Sequence, residues 1–297
     1  MLSVLIPVHN CNPSKLVEDL AGQCTSAGIE WEILIGDDAS DDSFADTNRK
    51  LQEYEKVRYF HHRDPLGRGG NRNFLARSAR FGNLLFIDGD AGIAYDDFIS
   101  RYLDVINRPG AKCGGTLYST AKPVETERLL RWKYGKKREE KPALIRSLKP
   151  WNSFSAFNFL IPADLFLSMR FDEEIISYGH EDTVFGFLMA DQNIPVHHID
   201  NGLLHLGIDA NIDFLVKTKE SVGNLAVLYT RGKLTTRMIK NVSLLRTFLL
   251  IKRFHLNGLL KTWFRKNQPR LEKRLLGPKP SIRSFDLYKL GLLSQFA

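Results

Sequence analysis

Apolar runs alternate with helical stretches through the first 88 residues, and that alternation leaves few architectures open. "SVLIPV" (3–8) is short, β-branched and almost wholly apolar, so it reads as a strand buried on both faces. "PSKLVEDLAGQC" (13–24) has helical spacing with a proline near its start. "WEILIGDD" (31–38) is a second buried strand, followed by a polar helix near 43–54 and a short strand at 57–61. "GRGGNRNFLARSARFG" (67–82) opens with glycines and continues as a helix into the strand "NLLFID" (83–88). Such a chain is α/β, with a mostly parallel twisted sheet flanked by helices.

Beyond residue 120 the pattern is less regular. "RLLRWKYGKKREEK" (128–141) is charged and weakly periodic, reading as a solvated face or a substrate-covering loop. "SFSAFNFLIP" (153–162) reads as a strand, "SYGHEDTVFGFLMADQ" (177–192) as a loop entering a helix, and "IPVHHID" (194–200) as a strand. Residues 211–231 read as a helix. With 297 residues, 43% of them hydrophobic, the chain can bury a full core, as one large domain or as one domain plus an appendage. The expected division is an α/β domain over 1–210 and a basic helical extension over 211–297.

Charge is distributed unevenly. Residues 231–297 carry 16 Lys/Arg and two acids, a net of +14, while the preceding 230 residues carry a net of −6. A tail of that sign implies an anionic partner. Met1 leads into "LSVLIPVHN", which reads as a first strand rather than a signal peptide. No apolar run approaches the roughly 18 residues of a spanning helix. Three cysteines, Cys11, Cys24 and Cys113, without metal-ligand spacing predict a reducing, cytoplasmic compartment.

Ligands of parallel sheets bind beyond the carboxyl ends of the strands. Three ends are polar here: Pro7, His9 and Asn10; Asp37 and Asp38; Asp88 and Asp90. Each alone is an ordinary turn or cap; together, with the helix start "GRGG" between them, they predict a ligand edge. Asp88 and Asp90 flank Gly89, and paired carboxylates suit Mg²⁺ or Mn²⁺ bound with substrate phosphates. An acid at the end of the second strand is placed to hold a base or ribose. Glu181 and Asp182 open a helix, as caps or as a general base. Of His197, His198 and His205, the last is the preferred metal candidate, although core histidines are commoner.

In order and spacing, "SVLIPVHN", "GDDASDD", "GRGGNRN", "FIDGD" and "YGHED" resemble the motifs of the family-two glycosyltransferases over about residues 2–206. The resemblance implies the GT-A fold and inverting transfer of a sugar from a nucleotide diphosphate donor, UDP favoured, to an acceptor hydroxyl. It implies an envelope-glycan or lipid-linked acceptor and a Mn²⁺ or Mg²⁺ cofactor. It implies nucleotide-sugar contacts from Pro7, His9, Asn10, Asp37, Asp38, Gly67, Arg68, Arg72, Asp88 and Gly89. Metal contacts would come from Asp88, Asp90 and His205, and the general base would be Asp182. Glu181 would hold the acceptor, joined by Trp151 and Asn158. Two departures stand out: Ala91 where many members have a third aspartate, and Ala39 where many have glycine. "RLLRW" (128–132) precedes the catalytic acids and lacks the glutamine of processive members, which implies single-sugar addition.

The tail interleaves Leu244, Phe248, Phe254, Leu259 and Trp263 with arginine and lysine. It reads either as helices on an anionic membrane surface or as helices packed on the protein with lysines outward. The alternative to enzyme activity is an inactive relative, or a protein binding anionic surfaces or nucleic acid through the tail. No recognised nucleic-acid motif is present, which argues against the last.

Overall fold

A computed structural model describes residues 1–175 and 178–297. Ser177, the first residue of the expected 177–192 segment, lies outside the described residues.

The strands, in chain order, are β1 (Leu2–Val8), β2 (Trp31–Asp38), β3 (Val57–His62), β4 (Asn83–Ile87), β5 (Ala91–Gly92), β6 (Ala111–Cys113), β7 (Thr116–Leu117), β8 (Asn158–Pro162), β9 (Val196–His198) and β10 (Leu203–His205). The first helices are α1 (Ser14–Ser26), α2 (Asp42–Arg49), α3 (Gly67–Ser78), α4 (Phe98–Leu103), α5 (Leu129–Tyr134), α6 (Ala143–Ser147), α7 (Ala163–Met169) and α8 (Glu181–Asp191). They are followed by α9 (Asn211–Thr230), α10 (Thr236–Asn241), α11 (Ser243–Arg253), α12 (Asn257–Leu276) and α13 (Ile282–Phe296).

Seven strands form one sheet in the order β3-β2-β1-β4-β8-β6-β9. β1 pairs in parallel with β2 and β4, and β2 with β3. β8 alone runs against its neighbours β4 and β6. Strands β1, β2 and β4 are buried almost throughout, as continuous apolar runs require of a sheet covered on both faces. One face packs Val4, Ile6, Ile33 and Ile35 against Leu16, Val17 and Leu20 of α1. The other packs Leu5, Leu34, Leu84 and Phe86 against Leu75 of α3 and Phe166 of α7. The chain leaves β1 toward β2 and β3 on one side and returns to β4 on the other, so the order reverses at β1. A crevice opens at such a reversal, beyond the carboxyl ends of the strands. The opposite end is closed by a buried Glu32, which accepts from Ser3 Oγ (2.7 Å), Arg58 (2.9 Å) and the Arg80 amide (2.6 Å).

Chain contacts divide the molecule into two compact units. One comprises residues 1–118, 139–176 and 181–207; the other comprises 119–138, 177–180 and 208–297. Of the charged 128–141 segment, residues 129–135 are partly or wholly buried, whereas Arg128, Lys137, Arg138 and Lys141 are exposed as on a solvated face. Leu130 and Arg131 are buried, the Arg131 guanidinium lies 5.1 Å from the Phe214 ring, and Tyr134 meets Phe214 and Phe285. Arginine laid on an aromatic face counts as polar in a sequence pattern but packs like an apolar residue.

Candidate active site

The carboxyl ends of β1, β2 and β4 supply the first groups. Asp37, fully buried, accepts from the Ser40 amide (2.9 Å) and the Tyr59 hydroxyl (2.7 Å), with His61 Nδ1 3.8 Å away. Burial opposes its ionisation, but the hydrogen bonds from Ser40 and Tyr59 outweigh burial and hold the carboxyl below its ordinary value. Asp38 accepts from the Leu66 amide (2.6 Å), just ahead of α3. His9 Nδ1 donates to the Asp38 carbonyl (2.8 Å), and the Asn10 amide donates to Ser40 Oγ (2.8 Å). Asn10 and Ala39 both occupy the left-handed region, with φ of 49° and 57°. Ala39, unlike a glycine, carries the strain of that conformation. Pro7 pairs with Gly36 in the β1–β2 ladder.

Helix α3 explains the "GRGGNRN" block. Asn71 donates to the Gly36 carbonyl (2.7 Å), tying the helix to β2. Asn73 donates to the Phe171 carbonyl and accepts from the Phe171 amide, while Gly69 lets that segment approach. Gly67 begins the helix at φ 75°. Between the two asparagines, Arg72 is buried and its guanidinium reaches Asp88 Oδ1 at 2.5 Å. The same guanidinium lies 3.9 Å from Glu181 Oε1, and Arg68 lies 4.0 Å from it. Arg72 therefore joins the turn after β4 to the first turn of α8.

Gly89 has no room for a side chain: a Cβ would stand 2.6 Å from Val8 Cγ1 and 3.0 Å from Cys11 Sγ. Asp90 follows in the turn just ahead of β5, the first strand of the short sheet β5-β10-β7. The antiparallel pairing of Ala91 with His205 places Asp90 Oδ2 3.7 Å from His205 Nε2. Gly207 permits this approach, since a Cβ there would lie 2.2 Å from Asp90 Oδ2. Burial first, and the like charge of Asp88 as well, raise the Asp90 carboxyl above its ordinary value. Ala91 is buried in the core, so a third aspartate there would have to be desolvated.

Two aromatic rings sandwich His205: Tyr118 at 5.5 Å and Phe157 at 5.3 Å, both nearly parallel to it. The Tyr118 hydroxyl donates to Glu139, and its amide donates to Glu140 (2.8 Å). Neither aromatic was singled out from the sequence, because nothing near them in the chain marks a partner 87 and 48 residues away. Tyr59, 22 residues from Asp37, was missed for the same reason.

Glu181 is buried and Asp182 partly so, at the N-terminal end of α8. The Thr183 amide donates to Asp182 Oδ1 (2.6 Å). Desolvation, then the neighbouring Glu181 charge, push the Asp182 carboxyl up to about 7.

Trp151 and Asn158 are engaged elsewhere. Trp151 donates to the Ile194 carbonyl (2.7 Å). Asn158 is buried in β8; its amide nitrogen donates to Asn201 and Gly115, and its oxygen accepts from Tyr102. His198 accepts from Arg146 and donates to Pro150, and burial pulls it down to about 4, as in a satisfied core histidine.

Among the described residues, no three His, Cys, Asp or Glu side chains form a group arranged to hold a metal ion. Asp90 and His205 nevertheless face each other as one oxygen and one nitrogen donor. A hard ion that keeps its waters and takes the rest of its shell from substrate phosphates needs no more than one or two protein ligands. The donor set fits such an ion, with Asp88 turned to Arg72 instead.

A family model described as "Glycosyl transferase family 2" matches residues 3–161. The validoxylamine A glucosyltransferase of Streptomyces hygroscopicus subsp. limoneus is 27% identical over 224 residues, which cover 66% of this chain and 49% of the relative. The chain thus spans about half the length of the curated relatives it matches. The mannosyltransferase PcManGT from Pyrobaculum calidifontis, solved with GDP-Man and Mn²⁺, shares the fold at TM-score 0.57 and 14% identity, covering 99% of this chain and 85% of that one. S. aureus TarS 1-349, solved with UDP-GlcNAc, does so at 0.53 and 17%, covering 98% and 90%.

Proposed function

This chain belongs to glycosyl transferase family 2, and on that premise we propose that it moves one sugar from a nucleotide diphosphate donor to an acceptor hydroxyl, with inversion. The observation that carries the reading is Arg72, whose guanidinium bridges Asp88 after β4 and Glu181 at the start of α8. That bridge brings a donor-side carboxylate and the Glu181–Asp182 acid pair to one edge of the sheet.

Asp37 and Asp38, with His9 and Asn10 beside them, recognise the base and ribose; Gly67, Arg68, Arg72 and Gly89 line the diphosphate. Asp182 is the general base. A carboxylate with its proton affinity raised toward 7 takes a hydroxyl proton more readily than an ordinary one. The acceptor O–H gives its proton to Asp182 as its oxygen bonds to the anomeric carbon. The bond from that carbon to the phosphate oxygen breaks, and its electron pair leaves with the nucleoside diphosphate. Glu181, oriented by Arg68 and Arg72, holds the acceptor. Asp90 and His205 are the residues that would hold Mn²⁺ or Mg²⁺, a cation that neutralises charge on the departing diphosphate. Asn158, committed inside the sheet, acts as scaffold.

We favour a UDP-sugar donor and a glycan or lipid-linked saccharide acceptor. The test is calorimetric titration of UDP, GDP, dTDP and CMP with and without Mn²⁺, followed by donor turnover measured as nucleoside diphosphate release. Metal-assisted binding of one diphosphate, with acceptor-dependent release from its sugar, is the expected result. Failure of all four to bind would overturn the proposal and leave an inactive relative.

A further inference from the structure

We propose that the corner between α11 and α12 docks on the anionic headgroups of a lipid bilayer, with Phe254, Leu259 and Trp263 entering the interface. This goes beyond sugar transfer and stands without it.

Each helix already has a buried face. α11 buries Leu245 and Phe248. α12 buries Phe264 and Leu275, and Phe264 lies so close on Gly291 of α13 that no Cβ would fit there. The apolar residues left outside are therefore not the packing faces of these helices. Leu250, Phe254, Leu256, Leu259 and Trp263 are between 41% and 69% exposed and fall within one stretch that turns the corner. On α11 and its cap, Arg246, Leu250, Arg253 and Phe254 follow helical spacing along one face. On α12, Leu259, Trp263, Lys266 and Arg270 do the same. Only residues 254–256 separate the helices, and Phe254 and Leu256 of that turn are themselves exposed. A clustered apolar patch on a soluble surface marks an interaction site.

Charge selects the partner. No acidic residue lies between Glu220 and Glu272, a stretch holding 11 Lys and Arg. Bases beside exposed aromatic and aliphatic side chains fit an anionic membrane interface, which takes both. A nucleic acid would use the bases and could stack on Phe254 and Trp263, but it offers the three leucines no apolar medium. A second copy would bring like charge against like charge.

The test is flotation of the full chain with phosphatidylcholine vesicles and with vesicles containing phosphatidylglycerol. Binding is expected only to the anionic vesicles, with loss at high salt. Two triple variants separate the contributions: Phe254→Ser/Leu259→Ser/Trp263→Ser and Arg253→Gln/Lys266→Gln/Arg270→Gln. Each should lower the partition coefficient more than about tenfold, with unchanged circular dichroism and thermal midpoint, since all six side chains are exposed. Absence of flotation, equal binding to both vesicle types, or an apolar triple variant that binds like the parent would each overturn the proposal. So would salt-sensitive nucleic-acid binding that replaces lipid binding, or a dimer that the apolar triple converts to monomer.

Discussion

Asp182 holds its proton up to about 7, and that has two consequences of opposite sign. As a base it must be ionised, so turnover should rise with pH through about 7 and level off above it. Asp182→Asn should cost about 10²–10⁴-fold in kcat while nucleotide affinity by calorimetry stays within a factor of two or so. A variant retaining full turnover would move the base elsewhere, Glu181 first. For stability, a folded value above the ordinary 3.8 means that the contribution is present below about pH 4 and lost as pH rises toward 7. Asp182→Asn should therefore gain in melting temperature over the parent as pH is raised from 4 to 8. Ala39 supplies a third case. Its φ of 57° is costly for an L-residue, so Ala39→Gly should raise stability by about 0.5–1 kcal/mol in urea melts. No gain would mean that the surrounding hydrogen bonds at Asp37, Ser40 and Asn10 already relax the turn.

Short elements hold the site as much as long ones do. β5 and β10 contribute two and three residues, yet their pairing sets Asp90 against His205. The imidazole is fixed between Tyr118 and Phe157, and such ring pairs contribute about 0.5–1.5 kcal/mol beyond area. Tyr118→Leu should loosen the imidazole and lower Mn²⁺-assisted nucleotide affinity several-fold, leaving metal-free affinity unchanged in the same titration. Equal loss under both conditions would assign Tyr118 to the nucleotide rather than to His205. Gly89 is the tightest point where β1 and β4 end. Gly89→Ala must push Val8 and Cys11 aside and should cost about 1–3 kcal/mol of stability by denaturant melts.

Taken as a whole, the molecule keeps its proposed chemistry in one unit and its positive charge in the other. All the residues assigned to donor, base and metal fall within 1–118, 139–176 or 181–207, whereas the +14 tail belongs to the second unit. Among the described residues, no helix is long and apolar enough to cross a membrane. Nucleoside diphosphate with Mn²⁺ should slow hydrogen exchange in 83–92 and 203–207 and leave 257–276 unchanged. At a hundredfold excess over Kd the stabilisation of the binding unit is about 2.7 kcal/mol. Protection confined to 257–276 would place the nucleotide on the basic helices and refute the assignment of the site.

The repeating pattern of buried strand and helix was readable in the chain because period and burial are local properties. "SVLIPV", "WEILIG" and "NLLF" had few other places to go, and their order put three acidic or polar ends on one edge. The motif spacing made the family legible as well. What each carboxylate does depended on partners far away in the chain. Arg72 choosing Asp88, His205 reaching Asp90 across a two-residue strand, and Tyr118 and Phe157 closing on the imidazole are all contacts over long sequence separation. No local propensity encodes them; they exist once the sheet has ordered its strands. Asn158 teaches the converse. The resemblance implied an acceptor contact for it, and in the fold its amide donates to buried backbone carbonyls, because a buried polar group must find partners wherever it lands.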